Sequence, residues 1–196
     1  MARRTFFSFH YQKDIWRVNQ VRKSGEFTKV SGEDTFYDNS LWEATKKKGE
    51  AALKKLIEDG LNNSSVTTVL AAAETWARPW VRYELIKSFE RGNGLMTLWI
   101  DAVKDHDGKT TKRGNNPLEC LWFEISADGR TATTKYYDAN KWVVYETISA
   151  SKLCKAAKDM KNGKLSAVAS VHIWQAGNAE EFARWCDEAA KAAGRD

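Results

Sequence analysis

Residues Val66–Ile100, VTTVLAAAETWARPWVRYELIKSFERGNGLMTLWI, decide the fold. The opening run, Val66 to Ala72, is apolar and β-branched, with no polar residues alternating along it. That pattern predicts a strand buried on both faces, and Asn62-Asn63-Ser64-Ser65 bounds it. After the polar break Glu74-Thr75, Pro79 stands where a first helical turn tolerates it. Val81, Leu85 and Phe89 then recur at helical spacing, and Gly92 and Gly94 end the helix. Leu95 to Ile100 is a second buried strand. Strand, helix and strand at these lengths make one right-handed βαβ unit of a parallel sheet.

Working outward, Arg4 to His10 predicts a strand close to the start of the sequence, and Asp14 to Lys23 a helix that stops at Ser24-Gly25. Thr35-Phe36-Tyr37-Asp38 is a short candidate strand. Ser40, with Glu43 three residues on, has the form of a capping box, so a helix is expected from Leu41 to the stop at Asp59-Gly60. The order β-α-β-α-β-α-β predicts an α/β fold, a doubly wound, flavodoxin-like parallel sheet with helices on both faces. Beyond Ile100 the composition changes. Asp105 to Pro117 reads as a loop. Cys120–Ile125, Thr131–Tyr137 and Trp142–Thr147 read as antiparallel strands joined at Asp128-Gly129 and Ala139-Asn140. Ser151–Met160 is a lysine-rich helix, and Ala167–Trp174 completes the parallel sheet. Asn178 caps a last helix that buries Ala179, Phe182, Cys186 and Ala189. We divide a single domain, 1–196, into core βα repeats (1–104), a loop and β-rich insertion (105–162), and a final strand and helix (163–196).

Composition narrows the class. With 196 residues, 42% hydrophobic and 29% charged, the chain suits one globular domain with a substantial core. A net charge of +5 is too diffuse to argue for nucleic acid. The clusters Lys46-Lys47-Lys48 and Lys54-Lys55 read as the solvated face of one helix. Cys120, Cys154 and Cys186 are widely spaced, which indicates free thiols rather than a zinc site or disulfide framework. No segment suits a signal peptide or membrane span, and the expected compartment is the cytoplasm. Nine tryptophans are many; filling the core and stacking on a planar ligand are both open to them.

Ligands of open α/β sheets bind beyond the carboxyl ends of the strands. Ser8–Tyr11, Asp38–Trp42 and Glu74–Glu84 should meet there. No GxGxxG, GxxxxGKS/T or HExxH occurs, so dinucleotide oxidoreductase, P-loop and zincin readings lack their residues, and no metal site is expected. Ser8 and His10 share a strand face, but no GxSxG elbow supports a hydrolase triad. Glu84 has two readings. It lies beside the Val81–Leu85–Phe89 stripe, next to Trp80 and Tyr83, and partial burial would raise its pKa. Alternatively it is a solvated helix carboxylate facing Lys87 or Ser88, which position alone favours.

The segments FFSFHYQKD (6–14), Asp38-x-Ser40-Leu41-Trp42-Glu43 and RPWVRYEL (78–85) resemble TIR-type domains, in which a W-x-x-x-E helix carries a catalytic glutamate. Taken with LNNSSVT (61–67), they resemble more narrowly the TIR-like proteins of bacterial Thoeris anti-phage systems. Each motif is unspecific alone; four in order carry the resemblance, close over the first half and looser over the second. It implies that NAD is a substrate, with no separate cofactor, and that Glu84 is the catalytic acid residue. It also implies cleavage of the nicotinamide–ribose bond and cyclisation of the ADP-ribose into a signal for a separate effector. Phe6, Ser8 and Tyr11, then Asp38, Ser40 and Trp42, and Trp80 are the expected substrate-binding residues. Phe6 is equally placed to be core, and Ser40 to be a helix cap. Hydrolysis to linear ADP-ribose and a non-catalytic TIR interaction module are the alternatives. The resemblance further implies a homo-oligomer in which the Asp38–Trp42 loop completes a neighbour's pocket.

Overall fold

A computed structural model describes residues 3–23, 45, 47–175 and 179–195. Its strands are β1 (Thr5–Phe9), β2 (Val66–Ala71), β3 (Gly94–Trp99), β4 (Leu121–Ile125), β5 (Thr131–Asp138), β6 (Lys141–Ser149), β7 (Asn162–Lys164) and β8 (Ala169–Ile173). Its helices are α1 (Tyr11–Lys23), α2 (Glu50–Asn62), α3 (Pro79–Glu90), α4 (Lys155–Met160) and α5 (Ala179–Ala192).

The uninterrupted apolar strands lie where their pattern requires, inside a parallel sheet of order β1-β2-β3-β8. The β2 strand is internal and parallel to both neighbours; Val69 stands opposite Ser8 on one side and Thr97 on the other. Helices cover both faces, so the doubly wound expectation holds. On one face Phe7, Leu70, Met96 and Leu98 pack with Val18 and Val21 of α1 and Phe182 and Cys186 of α5. On the other, Phe6 packs with Leu53, Ile57 and Leu61 of α2 and Tyr83 of α3. Burying each such side chain contributes on the order of 2 kcal/mol. Helix α5 approaches β3 so closely that a Cβ at Gly94 would lie 2.3 Å from the Ala189 carbonyl oxygen.

The antiparallel addition is present as a second sheet of order β6-β5-β4-β7. Ala139 and Asn140 both have positive φ, 43° and 64°, as a tight β5–β6 hairpin turn demands. This sheet closes over α3: Val81, Leu85 and Phe89 share one cluster with Leu121, Phe123 and Ile148. Helix α3 is therefore buried on more than one stripe, between the parallel sheet, α2 and the second sheet.

Several expectations change. The helix expected from Leu41 to Gly60 is interrupted at Gly49, whose φ of 101° is left-handed, and α2 then runs from Glu50 to Asn62. Gly60 lies inside α2 rather than ending it, and Lys47 and Lys48 do not share a helix with Lys54 and Lys55. Ala167 and Val168 belong to a 3-10 turn before β8 rather than to the strand. The β7 strand was not anticipated: Asn-Gly-Lys has no strand signature and joins β4 only through its backbone. The Thr35–Asp38 strand, the Ser40–Glu43 capping box, the Ser24-Gly25 stop and the Asn178 cap fall outside the described residues. No described helix is long and apolar enough to cross a membrane.

Candidate active site

The β1 strand ends and α1 begins within two residues, which brings Ser8, His10 and Tyr11 to one end of the sheet. The connection after β2 reaches the same end as the turn Ala72–Arg78, before Pro79 starts α3. Across this junction Ser8 Oγ donates a 2.5 Å hydrogen bond to Glu84 Oε2. Both side chains are buried, Glu84 being 4% exposed. Burial pushes the Glu84 carboxyl up to about 8, against the opposing effect of the Ser8 hydroxyl. Neither solvated partner is used. Lys87 pairs with Glu90 and Glu146, and the Ser88 hydroxyl donates to the Glu84 backbone carbonyl at 2.6 Å. Of the two readings of Glu84, the buried one is what the fold produces.

Other expected residues fall around this pair. Phe6, one position before the Phe7–Ser8 step, lies in the α2–α3 cluster with Tyr83. Trp80 is half-buried on that cluster, its ring edge-on to Tyr83 with centroids 6.0 Å apart. Tyr11 opens α1, packs on the opposite core and contacts Phe9 at 6.1 Å between ring centroids. The fold thus brings Ser8 to Glu84, with Phe6 and Trp80 on the adjacent cluster and Tyr11 at the strand end. Asp38, Ser40 and Trp42 lie outside the described residues.

A second group sits at the same end of the sheet. His10, two residues beyond Ser8, is buried, and its Nε2 has no hydrogen-bond partner among the described residues. The Glu74 carboxylate is 4.0 Å from that nitrogen and is held by Lys13 and by Arg78 Nη2 at 3.1 Å. Burial, with Arg78 adding to it, lowers the His10 pKa and keeps the ring neutral near pH 7. Ser8 donates to Glu84 and His10 to neither, so no Ser–His couple exists for hydrolase chemistry. The expectation singled out no role for this quartet. The available signal was the i, i+2 placement of Ser8 near the end of β1 and His10 just beyond it.

Beyond β3, Arg17 fastens the following loop to α1 by donating to the carbonyls of Val103 and Lys109 and to Asp105. Asp105, His106 and Asp107 lie close enough to share an ion. The Asp105 carboxylate already accepts from Arg17 and from the amides of Asp107 and Lys109, which makes the group a closed turn.

A dry carboxyl held by one hydroxyl, at the carboxyl end of a parallel sheet, is suited to a substrate group that gains positive charge. Ionising such a carboxyl is costly until a cation arrives beside it. The family model described as Thoeris protein ThsB, TIR-like domain, matches residues 6–105 of the chain. A protein of Bacillus cereus (strain MSX-D12) bearing the provisional name cyclic ADP-D-ribose synthase ThsB1 is 40% identical over 190 residues. The match covers 94% of this chain and 99% of that protein.

Proposed function

The chain belongs to the TIR-like family of Thoeris ThsB proteins, and on that premise we propose that it cleaves NAD at the nicotinamide–ribose bond and cyclises the ADP-ribose. The relative's name supports the reaction class, and the observation that carries the reading in this chain is the buried Ser8–Glu84 pair.

The chemistry follows from the charges. The C1′–N bond breaks heterolytically; its electrons neutralise the pyridinium ring, and nicotinamide departs uncharged. The positive charge passes to the ribose as an oxocarbenium-like centre. An ionised Glu84 beside the ribose stabilises that centre and orients the sugar hydroxyls. Ser8 holds one carboxylate oxygen, so the group needs little reorganisation as charge develops. A nucleophile within the same ADP-ribose then bonds to C1′ and releases its proton, which closes the ring. Water attacking instead gives linear ADP-ribose, so cyclisation requires a folded substrate and a dry pocket. Phe6 and Trp80 supply apolar walls beside the pair, and Tyr11, Asp38, Ser40 and Trp42 complete the substrate-binding set. The product is a nucleotide signal for a separate anti-phage effector, and a loop from a second copy completes the pocket.

Mass spectrometry of NAD incubated with the protein, alone and in extracts of phage-challenged cells, tests this. The expected product is lighter than linear ADP-ribose by one water. Exclusively linear product overturns cyclisation, and intact NAD under both conditions overturns the enzymatic reading.

A further inference from the structure

The His10–Lys13–Glu74–Arg78 group carries an inference that rests on the NAD reading above. Lys13 and Arg78 supply two cations, His10 a polar ring, and Glu74 the carboxylate that pairs with them, with the buried Asp14 carboxyl near Lys13 and Glu74. One carboxylate does not serve them all. Its oxygens are taken by Lys13 and by Arg78 Nη2 at 3.1 Å, while His10 Nε2 stays 4.0 Å away. His10 Nε2 and Arg78 Nε are both buried without a partner among the described residues. An orphaned buried polar nitrogen is costly, and two of them beside one anion describe a cradle larger than its present occupant. The setting favours anions twice over. Helix α1 begins at Tyr11, directly after His10, and α3 begins at Pro79, directly after Arg78, so two helix N-termini converge here. His10 follows Ser8, which holds Glu84, by two residues.

We infer that this cradle takes the diphosphate of the dinucleotide, and that the Glu74 carboxylate is an internal competitor which substrate binding displaces. A diphosphate offers oxygens to Lys13, to the Arg78 fork and to the waiting His10 ring at once. Glu74 can leave without disturbing the core, since its side chain is 41% exposed and it belongs to neither a strand nor a helix. The chain thereby holds a like charge over its own substrate site, which lowers affinity for the dinucleotide and its products.

Isothermal titration of ADP-ribose, inorganic pyrophosphate and adenosine into wild type, Glu74→Gln and Arg78→Gln tests the assignment. Removing the competitor's charge should tighten ADP-ribose and pyrophosphate roughly tenfold in low salt, with a smaller gain in high salt. Arg78→Gln should weaken both, and adenosine should bind all three proteins alike. Both substituted side chains are partly exposed, and melting curves verify that the variants are folded. Unchanged or weaker ADP-ribose binding to folded Glu74→Gln overturns the inference, because Glu74 would then be neutral toward the ligand or a partner of it. So does an equal change in adenosine affinity. If wild type turns over NAD while Glu74→Gln gains nothing, the cradle assignment fails and the catalytic reading stands. If the Glu74→Gln gain appears in a protein that never consumes NAD, the cradle stands and the catalytic reading fails.

Discussion

Ser8 Oγ and Glu84 Oε2, 76 residues apart in sequence, lie 2.5 Å from each other in the interior. The hydroxyl's hydrogen bond lowers the Glu84 pKa, but burial outweighs it and the carboxyl stands at about 8. The carboxyl is therefore mostly protonated near pH 7 in the free protein, and a cation arriving beside it draws out the proton. Coupling of this kind makes the charge appear where and when the substrate supplies its counterpart.

Ser8→Ala should raise the Glu84 pKa further, because it deletes that hydrogen bond and leaves the burial. A hydrogen bond to a charged group contributes about 1.5–3 kcal/mol, so the ascending limb of the pH–rate profile should move up by at least roughly one pH unit. Activity lost at neutral pH should partly return in alkaline buffer. A uniform loss at every pH would mean that Ser8 acts on the substrate rather than on Glu84.

Arg17 should matter to stability. It is buried, pairs with Asp14 and Asp105, and donates to the carbonyls of Lys13, Val103 and Lys109. Burial already pushes the Asp14 carboxyl up to about 6, against the opposing pull of Arg17. Arg17→Met should leave that carboxyl without its cation and the Val103 carbonyl without its side-chain donor, at a cost of about 3 kcal/mol in urea unfolding. Asp14→Asn in the Met background should return part of it, which reading the two midpoints would show.

The inferred share of the Asp38–Trp42 loop in a neighbour's pocket makes specific activity depend on protein concentration. Serial dilution with parallel sedimentation should show both falling together. Flat specific activity in a monomeric protein would remove the neighbour from the site.

The sequence carried the parallel sheet because its strands are buried on both faces and therefore run apolar without a break, as Val66–Ala71 does. Pro79 and Gly92 marked α3 for reasons local to the backbone. Glu84 was harder. A single 3.6-residue stripe presumes one covered face, whereas α3 is also covered by the second sheet, with Phe89 and Phe123 5.0 Å apart at ring centroids. No local pattern encodes that second cover. Gly49 and Gly60 show the same limit: one interrupts a helix through its φ and the other rides inside one, and only the backbone angles distinguish them. The Glu74 group was illegible because its members come from segments after separate strands, with Lys13 and Glu74 61 positions apart.

Glu84→Gln should separate catalysis from folding, and pH gives the signature. The folded-state pKa of about 8 exceeds the ordinary carboxyl value of 4.5. Below the ordinary value both folded and unfolded chains hold the proton, and Glu84 costs nothing. As pH rises from there toward 8, the unfolded chain releases a proton that the folded chain keeps, so wild-type stability falls. Gln cannot titrate and escapes this loss. The melting temperatures of the two proteins should therefore lie close near pH 4 and diverge toward pH 8, with Gln the more stable by up to a few kcal/mol. NAD turnover should move the other way. Losing a carboxylate that stabilises the oxocarbenium-like centre should cost on the order of 3 kcal/mol, at least a hundredfold in rate. Thermal melts across that pH range, run beside NAD consumption by both proteins, give both readings. A Gln variant with wild-type turnover would remove Glu84 from the chemistry, and parallel melting curves would mean that the carboxyl is not buried in the working protein.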